Sequence, residues 1–122
     1  MSDSEALGWA LQSALTAADQ ALPPDRDGAD RMARVGAAAM ESLLGCESRP
    51  GWRLQMPGVP DPMRAARHEV RAAAQMVLGQ LELIGLAWAS WDAATRAEML
   101  DQLEDSGRQL TDHARQFTAD PE

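Results

Sequence analysis

The sequence predicts an all-α fold built from antiparallel helical hairpins. Apolar residues recur at steps of three and four along four segments, which is the period of an amphipathic helix. Capping residues precede these segments, and prolines and glycines interrupt the chain between them. Hydrophobic residues make up 45% of the 122 residues, which is enough for a packed core.

Residues 1–46 are predicted to form an N-terminal helical hairpin. Its first helix covers about residues 4–22, where Ser2 and Glu5 have the spacing of a capping box. The pair Pro23-Pro24 ends this helix, because proline lacks the backbone N–H that a helix interior needs. The second helix is expected from a cap at Asp27 to about Leu44.

Residues 47–61 are predicted to be a linker rich in proline and glycine. Two proline–glycine pairs and a third proline argue against regular secondary structure here. Three apolar side chains in this segment are expected to pin it to a helical surface, namely Trp52, Leu54 and Met56. The linker is therefore expected to be ordered.

Residues 62–118 are predicted to form a second helical hairpin. Asp61-Pro62 is a good helix start, and the apolar residues between Met63 and Trp91 recur as a heptad-like seam. The next helix is expected to begin at a capping box of Thr95 and Glu98. Gly107 lies on its apolar seam and would let a neighbouring backbone approach closely.

The second hairpin has a wide apolar face that its two helices cannot bury alone. A second copy of the chain could cover this face, which would form a four-helix bundle by dimerisation. The N-terminal hairpin offers an intrachain alternative. The sequence does not decide between the two, and we favour the homodimer.

The composition limits the class of function. The formal net charge is −8, and a general nucleic-acid binder needs cations that displace phosphate counterions. Cys46 is the single cysteine and no Cys/His cluster has metal spacing, so we expect no disulfide, metal or other cofactor. The start lacks the features of a signal peptide, and the longest apolar stretch, residues 76–91, is too short to span a membrane. A cytoplasmic protein is expected.

Three runs carry a resemblance to a known family. His68-Glu69-Val70-Arg71 begins a long helix that continues to Gly79-Gln80-Leu81-Glu82-Leu83-Ile84, and Ser106-Gly107-Arg108-Gln109-Leu110 follows in the next helix. This pattern resembles the dimerisation and histidine-phosphotransfer domain of two-component sensor kinases. In that family His-Glu-Leu-Arg opens a helix that goes on to Gly-x-Leu-Glu-Leu-Leu. The resemblance covers about half of the chain and implies a phosphoacceptor histidine at His68.

His68 and Glu69 are the expected catalytic residues. His68 lies two positions from the seam residue Val70, about 200° around the helix, and so faces away from the core. Glu69 can accept a hydrogen bond from one ring nitrogen, which makes the other nitrogen more nucleophilic. In the resembled family the residue after the histidine has this acid–base role. Without the resemblance, such a pair would be an ordinary feature of a helical surface.

A partner-binding surface is expected around His68. Arg64 and Arg71 lie one turn before and after it, with Arg67 beside them, and could attract the acidic pocket of a response-regulator receiver. Ala72 and Gln75 continue this surface along the helix. The same arginines could instead be the solvated face of an amphipathic helix.

The expected function is that of a histidine phosphotransferase in two-component signalling. His68 would relay a phosphoryl group to or from a response-regulator receiver, with the receiver or a sensor kinase as partner. Ala72 stands where the family usually has an Asn or Thr that orients water, which argues against phosphatase activity. No Gly-rich phosphate loop occurs in the sequence, so we expect no autonomous kinase activity. The alternatives are a non-catalytic helical module that docks on a receiver or kinase, and an unrelated helical adaptor or inhibitor.

Overall fold

The computed structural model describes residues 2–53 and 57–119. Within them it contains four α-helices and two short 3-10 turns, and no strand. The helices are α1 (Asp3–Gln20), α2 (Arg26–Glu47), α3 (Arg64–Ala87) and α4 (Ala93–Thr118), and the turns are Pro50–Arg53 and Trp88–Ser90. The predicted all-α class and its helical hairpins are confirmed.

The four helices form one bundle within a single chain. Helix α1 packs against α2 and α3, and helix α4 packs against the same two helices, so α2 and α3 lie on one diagonal. The largest buried side chains come from all four helices, which gives one continuous core. These include Leu7, Met32, Leu43, Val77, Leu81, Ile84, Trp88, Leu103, Leu110 and Phe117.

The apolar face of the second hairpin is covered by α1 and α2 of the same chain. The intrachain alternative that the sequence left open therefore completes the four-helix bundle, and a homodimer stays a prediction. Burial of apolar surface has no directional preference, so the N-terminal hairpin satisfies this face as well as a second copy would. Any association of two copies would have to use the outside of the bundle.

Several glycines let helices approach closely, among them Gly107 and Gly85, and also Gly36, where a Cβ would lie 2.5 Å from Leu11 Cδ2 of α1. A Cβ on Gly107 would lie 2.7 Å from Val35 Cγ1 in α2, and a Cβ on Gly85 would lie 3.2 Å from Ser13 Cβ in α1. Real side chains do not approach to 2.7 Å, so α4 needs glycine at position 107. The predicted role of Gly107 is confirmed, and its neighbour is α2.

Two helix starts agree with the sequence analysis only in part. Ser2 caps α1 as predicted, with its Oγ accepting a hydrogen bond from the Glu5 N–H at 3.2 Å. The predicted cap of α2 at Asp27 is wrong. The cap is Asp25, whose Oδ1 accepts from the Gly28 N–H at 2.8 Å, because its side chain stands three positions before a free donor.

The starts of α3 and α4 also differ. The Thr95–Glu98 capping box is wrong, since Asp92 caps α4 by accepting a hydrogen bond from the Thr95 N–H at 2.8 Å. Hydrogen bonds from the Thr95 side chain and from its backbone N–H together lower the pKa of the Asp92 carboxyl. Helix α3 begins at Arg64, three residues after Asp61, and Asp61 instead accepts a hydrogen bond from the Met63 N–H at 3.1 Å.

The linker is ordered where it is described. Trp52 is buried and packs edge-to-face on Phe117 of α4, with 5.6 Å between the ring centroids. Residues Pro50–Arg53 form a 3-10 turn, although the sequence analysis expected no regular structure there. Leu54 and Met56 lie outside the described residues. Trp52 therefore holds the linker against the bundle, as predicted.

The segment Arg64–Ser90 is long and apolar enough to cross a membrane by length and composition. The apolar segment is therefore longer than the stretch of residues 76–91 that the sequence analysis considered too short to span a membrane. One side of this helix packs in the core of the bundle, and a core helix satisfies the same two criteria. A cytoplasmic location stays a prediction.

Candidate functional site

His68 lies near the start of α3, and its side chain is exposed to solvent. It lines an open groove of about 620 Å³ together with residues of the linker and of the first turns of α3. These residues are Asp61, Pro62, Arg64, Ala65, Arg67 and Arg71. The outward orientation that the helical period predicted for His68 is confirmed.

The groove is locally basic on an acidic protein. Residues 49–71 contain five arginines and two acidic residues, whereas the whole chain has a net charge of −8. The amino-terminal end of α3 adds the positive end of a helix dipole. An anionic group of a ligand or partner would therefore be attracted to His68 more strongly than to most of this surface.

Arg67 is buried, with 7% of its surface exposed. Its Nη1 donates a hydrogen bond to the carbonyl oxygen of Gly51 at 2.8 Å, and its Nη2 pairs with the Asp61 carboxylate. The guanidinium lowers the pKa of the Asp61 carboxyl. Arg67 therefore anchors the linker to α3, and its guanidinium is not displayed on the surface as the sequence analysis expected.

Arg71 is half-buried against the same linker. Its guanidinium carbon lies 4.7 Å from the Trp52 ring centroid, which is a cation–π contact, and Nη2 donates to the Trp52 carbonyl oxygen at 3.3 Å. Arg71 lines the groove while it holds Trp52 in place. Its first role is to position the linker.

Arg64, Ala72 and Gln75 are all exposed on the outer side of α3, as predicted. Arg64 lies one turn before His68, and Ala72 and Gln75 lie one and two turns after it. Among residues 2–53 and 57–119, no ion pair engages the Arg64 guanidinium. Arg64 is therefore the cation of the groove that can reach a bound anion.

Glu69 faces helix α4 instead of the His68 ring. Its Oε2 lies 3.1 Å from Nδ1 of His113, so the two side chains connect α3 and α4. One step along a helix rotates a side chain by about 100°, which turns Glu69 from the outer face towards the neighbouring helix. The expected hydrogen bond between Glu69 and His68 is not present, and the carboxylate does not fix the tautomer of the His68 ring.

The sequence analysis did not identify His113 as a neighbour of Glu69. Glu69 and His113 stand at equal distances in sequence before and after Trp91, which lies at the turn of the second hairpin. Residues that are equidistant from the turn of an antiparallel hairpin lie at the same height. The equal spacing of Glu69 and His113 from the turn is the feature of the sequence that could have predicted their contact.

The thiol of Cys46 takes no part in the groove. It is fully buried in α2, and burial raises its pKa to about 11. A protonated, inaccessible thiol is a poor nucleophile and a poor metal ligand. In the described part of the chain, no group of three or more His, Cys, Asp or Glu side chains could hold a metal ion.

Comparisons of this chain with protein-family models, with curated proteins and with solved structures found no match. The resemblance to the histidine-phosphotransfer domain therefore depends on the quoted runs of sequence alone. The groove combines the accessible imidazole of His68, the exposed guanidinium of Arg64 and the positive end of a helix. These groups can bind an anion beside a nitrogen nucleophile.

Proposed function

We propose that this protein is a histidine phosphotransferase of two-component signalling. It takes a phosphoryl group on His68 from a phosphorylated receiver or a sensor kinase and passes it to the aspartate of a receiver. The observation that carries the proposal is the exposed His68 ring in a basic groove at the start of α3. The sequence resemblance of residues 62–118 adds to it.

The chemistry needs only an accessible neutral imidazole and a bound donor. The unprotonated ring nitrogen of His68 attacks the phosphorus of an aspartyl phosphate on the receiver. The N–P bond forms, the bond from phosphorus to the aspartate oxygen breaks, and the carboxylate leaves with its electron pair. In the reverse direction the receiver carboxylate attacks and the imidazole leaves. Arg64 stabilises the negative phosphoryl oxygens during both steps.

The outer face of α3 supports docking of the partner. Ala72 and Gln75 extend from His68 along the helix without a bulky or charged side chain, so a helix of the partner can approach closely. The receiver's acidic pocket complements the basic groove, which favours an orientation with the aspartate above His68. Glu69 Oε2 lies beside His113 Nδ1 and not beside the His68 ring, so acid–base assistance has to come from the partner or from water.

The test is phosphotransfer from a set of labelled, phosphorylated receivers to the purified protein. The expected product carries acid-labile, base-stable phosphate on His68, and the variant His68→Gln should accept none. The matched control is His113→Gln, which removes the other histidine and should still accept the label. Normal labelling of His68→Gln would refute the proposal.

A second candidate is a non-catalytic helical module that docks on a receiver or kinase and regulates it. Two observations favour it: Arg67 and Arg71 hold the linker, and Glu69 is engaged by His113. These side chains then have structural roles, and the groove serves only as a docking surface. This candidate predicts that His68→Gln leaves binding of the partner intact.

The two candidates are separated by His68 and not by Arg64. Under both of them, the charge reversal Arg64→Glu should weaken binding of an acidic receiver at low salt. Only phosphotransfer requires that His68→Gln abolish labelling while it leaves the binding affinity within about twofold. Isothermal titration with the same receivers measures the affinity, and the label measures transfer.

A further inference from the structure

A second open groove lies between α2 and α4. Its volume is about 520 Å³, and it shares no lining residue with the groove of His68. A recess of about 380 Å³ continues it along the same two helices, and Ala38, Thr111 and Arg115 line both. The two together are called the α2–α4 groove. Small-molecule sites usually have volumes of roughly 300–1,000 Å³, and this groove lies in that range.

Small and apolar side chains form the floor of the α2–α4 groove. The two helices run parallel, because Arg31 pairs with Glu104, and Val35, one turn further along α2, meets Gly107 one turn further along α4. The Thr111 hydroxyl donates a hydrogen bond to the Gly107 carbonyl oxygen at 3.1 Å and so is not presented to the groove as a donor. The donors for a ligand must therefore come from the rims.

Four arginines line the α2–α4 groove on a protein whose net charge is −8. They are Arg31 and Arg34 on α2 and Arg108 and Arg115 on α4. The wider part of the groove is also lined by two carboxylates, those of Glu104 and Asp112. Four cations and two anions give this lining a formal charge of +2, opposite in sign to that of the whole chain. An anion is therefore attracted to the groove.

The two arginines of α2 differ in how far they are engaged. Arg31 donates from Nε to Glu104 at 2.9 Å and from Nη2 to Asp101 at 2.7 Å. Two carboxylates thus neutralise its charge, and it forms one end of the groove. Arg34 is exposed, and within the described ranges 2–53 and 57–119 no carboxylate pairs with it. Its guanidinium is available to a ligand.

The two arginines of α4 are engaged only by weak pairs on their own helix. Arg108 pairs with Asp105, and Nη1 of Arg115 lies 3.9 Å from Oδ1 of Asp112. All four of these side chains are exposed to solvent. Exposed ion pairs of this kind contribute little to stability, so both guanidinium groups can turn towards a bound anion.

The spacing of the available guanidinium groups fits an extended anion. Arg34 and Arg108 flank one point of the groove, because they are the neighbours in sequence of Val35 and Gly107, which touch. Arg115 lies seven residues further along α4 than Arg108, which is about 10 Å. A single phosphate is too short to reach all three, whereas a chain of phosphates presents oxygen atoms over a greater length. The planar guanidinium fork matches phosphate oxygens in bidentate pairs.

We infer that the α2–α4 groove is a binding site for a small molecule that carries a chain of two or three phosphates. Arg34 and Arg108 bind one end of the chain from opposite rims, and Arg115 binds the other end. The rest of the molecule lies on the apolar floor at Val35 and Ala38. The inference does not rest on phosphotransfer, because His68 is outside this groove.

The experiment is isothermal titration of the full chain with tripolyphosphate in a phosphate-free buffer of about 20 mM ionic strength, where screening is weak. We expect saturable binding of one tripolyphosphate, with orthophosphate at least about tenfold weaker because it reaches fewer arginines. Arg34→Gln and Arg115→Gln each remove a charged donor and should weaken binding by about fivefold or more.

Two control variants remove the same charge elsewhere. Arg26→Gln changes an exposed arginine of α2 that does not line the groove, and Arg64→Gln changes the exposed arginine beside His68. Both should keep the affinity within about twofold of the wild type. A folded-state ligand also raises Tm, so tripolyphosphate should raise the Tm of the wild type and of Arg26→Gln more than that of Arg34→Gln.

Three results would overturn the inference. The first is the absence of saturable binding of tripolyphosphate to the wild type. The second is equal weakening by Arg26→Gln and Arg34→Gln, which would mean that the anion responds to overall charge and not to the groove. The third is weakening by Arg64→Gln without weakening by Arg34→Gln, which would place the anion beside His68. Phosphotransfer to His68 can succeed or fail under each of these results.

Discussion

Removal of Arg67 should loosen the linker and destabilise the fold. Its Nη1 donates a hydrogen bond to the Gly51 carbonyl oxygen in a buried setting. Hydrogen bonds that involve a charged group contribute about 1.5–3 kcal/mol. Asp61 is half-buried and keeps its hydrogen bond from the Met63 N–H after the change, so we assign no separate energy to its ion pair. For Arg67→Ala we therefore expect a loss of roughly 2 kcal/mol in the free energy of unfolding.

The assay is urea denaturation followed by the emission of the buried tryptophans, with thermal unfolding beside it. In a domain of this size, 2 kcal/mol corresponds to a decrease in Tm of roughly 6–12 °C. Arg64→Ala is the matched control, because Arg64 lies in the same groove and is exposed. This change should lower the free energy of unfolding by no more than about 0.5 kcal/mol. Equal effects of the two changes would contradict the anchoring role of Arg67.

Three further predictions concern packing, pH and the thiol. Gly107→Ala should lower the free energy of unfolding by about 1–3 kcal/mol in urea, because a Cβ there would lie 2.7 Å from α2. Gly79→Ala, where the added Cβ meets nothing within 4 Å, should instead raise it by up to about 1 kcal/mol. Arg31 lowers the pKa of the Glu104 carboxyl, so the stability from this pair is present above the ordinary glutamate pKa and lost as the pH falls through the lowered one. Cys46 should react with a thiol reagent at pH 8 only after unfolding.

Each of these three predictions has an experimental result that would contradict it. Equal stability of the two glycine variants would mean that α2 and α4 do not pass closely at position 107. A Glu104→Gln variant whose midpoint in urea decreases in acid as much as that of the wild type would show that this ion pair does not contribute. Rapid stoichiometric labelling of Cys46 in the native protein would mean that α2 opens there or that the thiol is accessible.

Local features of the site could be predicted because they depend on helical geometry alone. The exposure of His68, Ala72 and Gln75 follows from their angle to the apolar seam of α3, and any fold that buries the seam keeps them outside. Arg67 and Glu69 lie at the edges of that face. Their partners are Gly51, sixteen residues earlier, and His113 on the neighbouring helix, and no local rule identifies them.

Helix ends show a similar division. Ser2 was found because a capping box has a fixed local spacing. The sequence analysis placed the α4 cap at Thr95, whereas Asp92 is the acceptor, because the preceding 3-10 turn leads the chain into the helix three residues earlier. Where two nearby side chains could cap the same helix, the path of the chain before the helix determines which one does.

The sequence alone determined four amphipathic helices and the outward face of α3, because the 3.6-residue period fixes both without reference to any partner. Only the tertiary structure decided that α1 and α2 cover the seam of the second hairpin, since apolar stripes attract any apolar surface of matching width. The same packing left Trp9 and Leu86 exposed to solvent on the outside of the bundle.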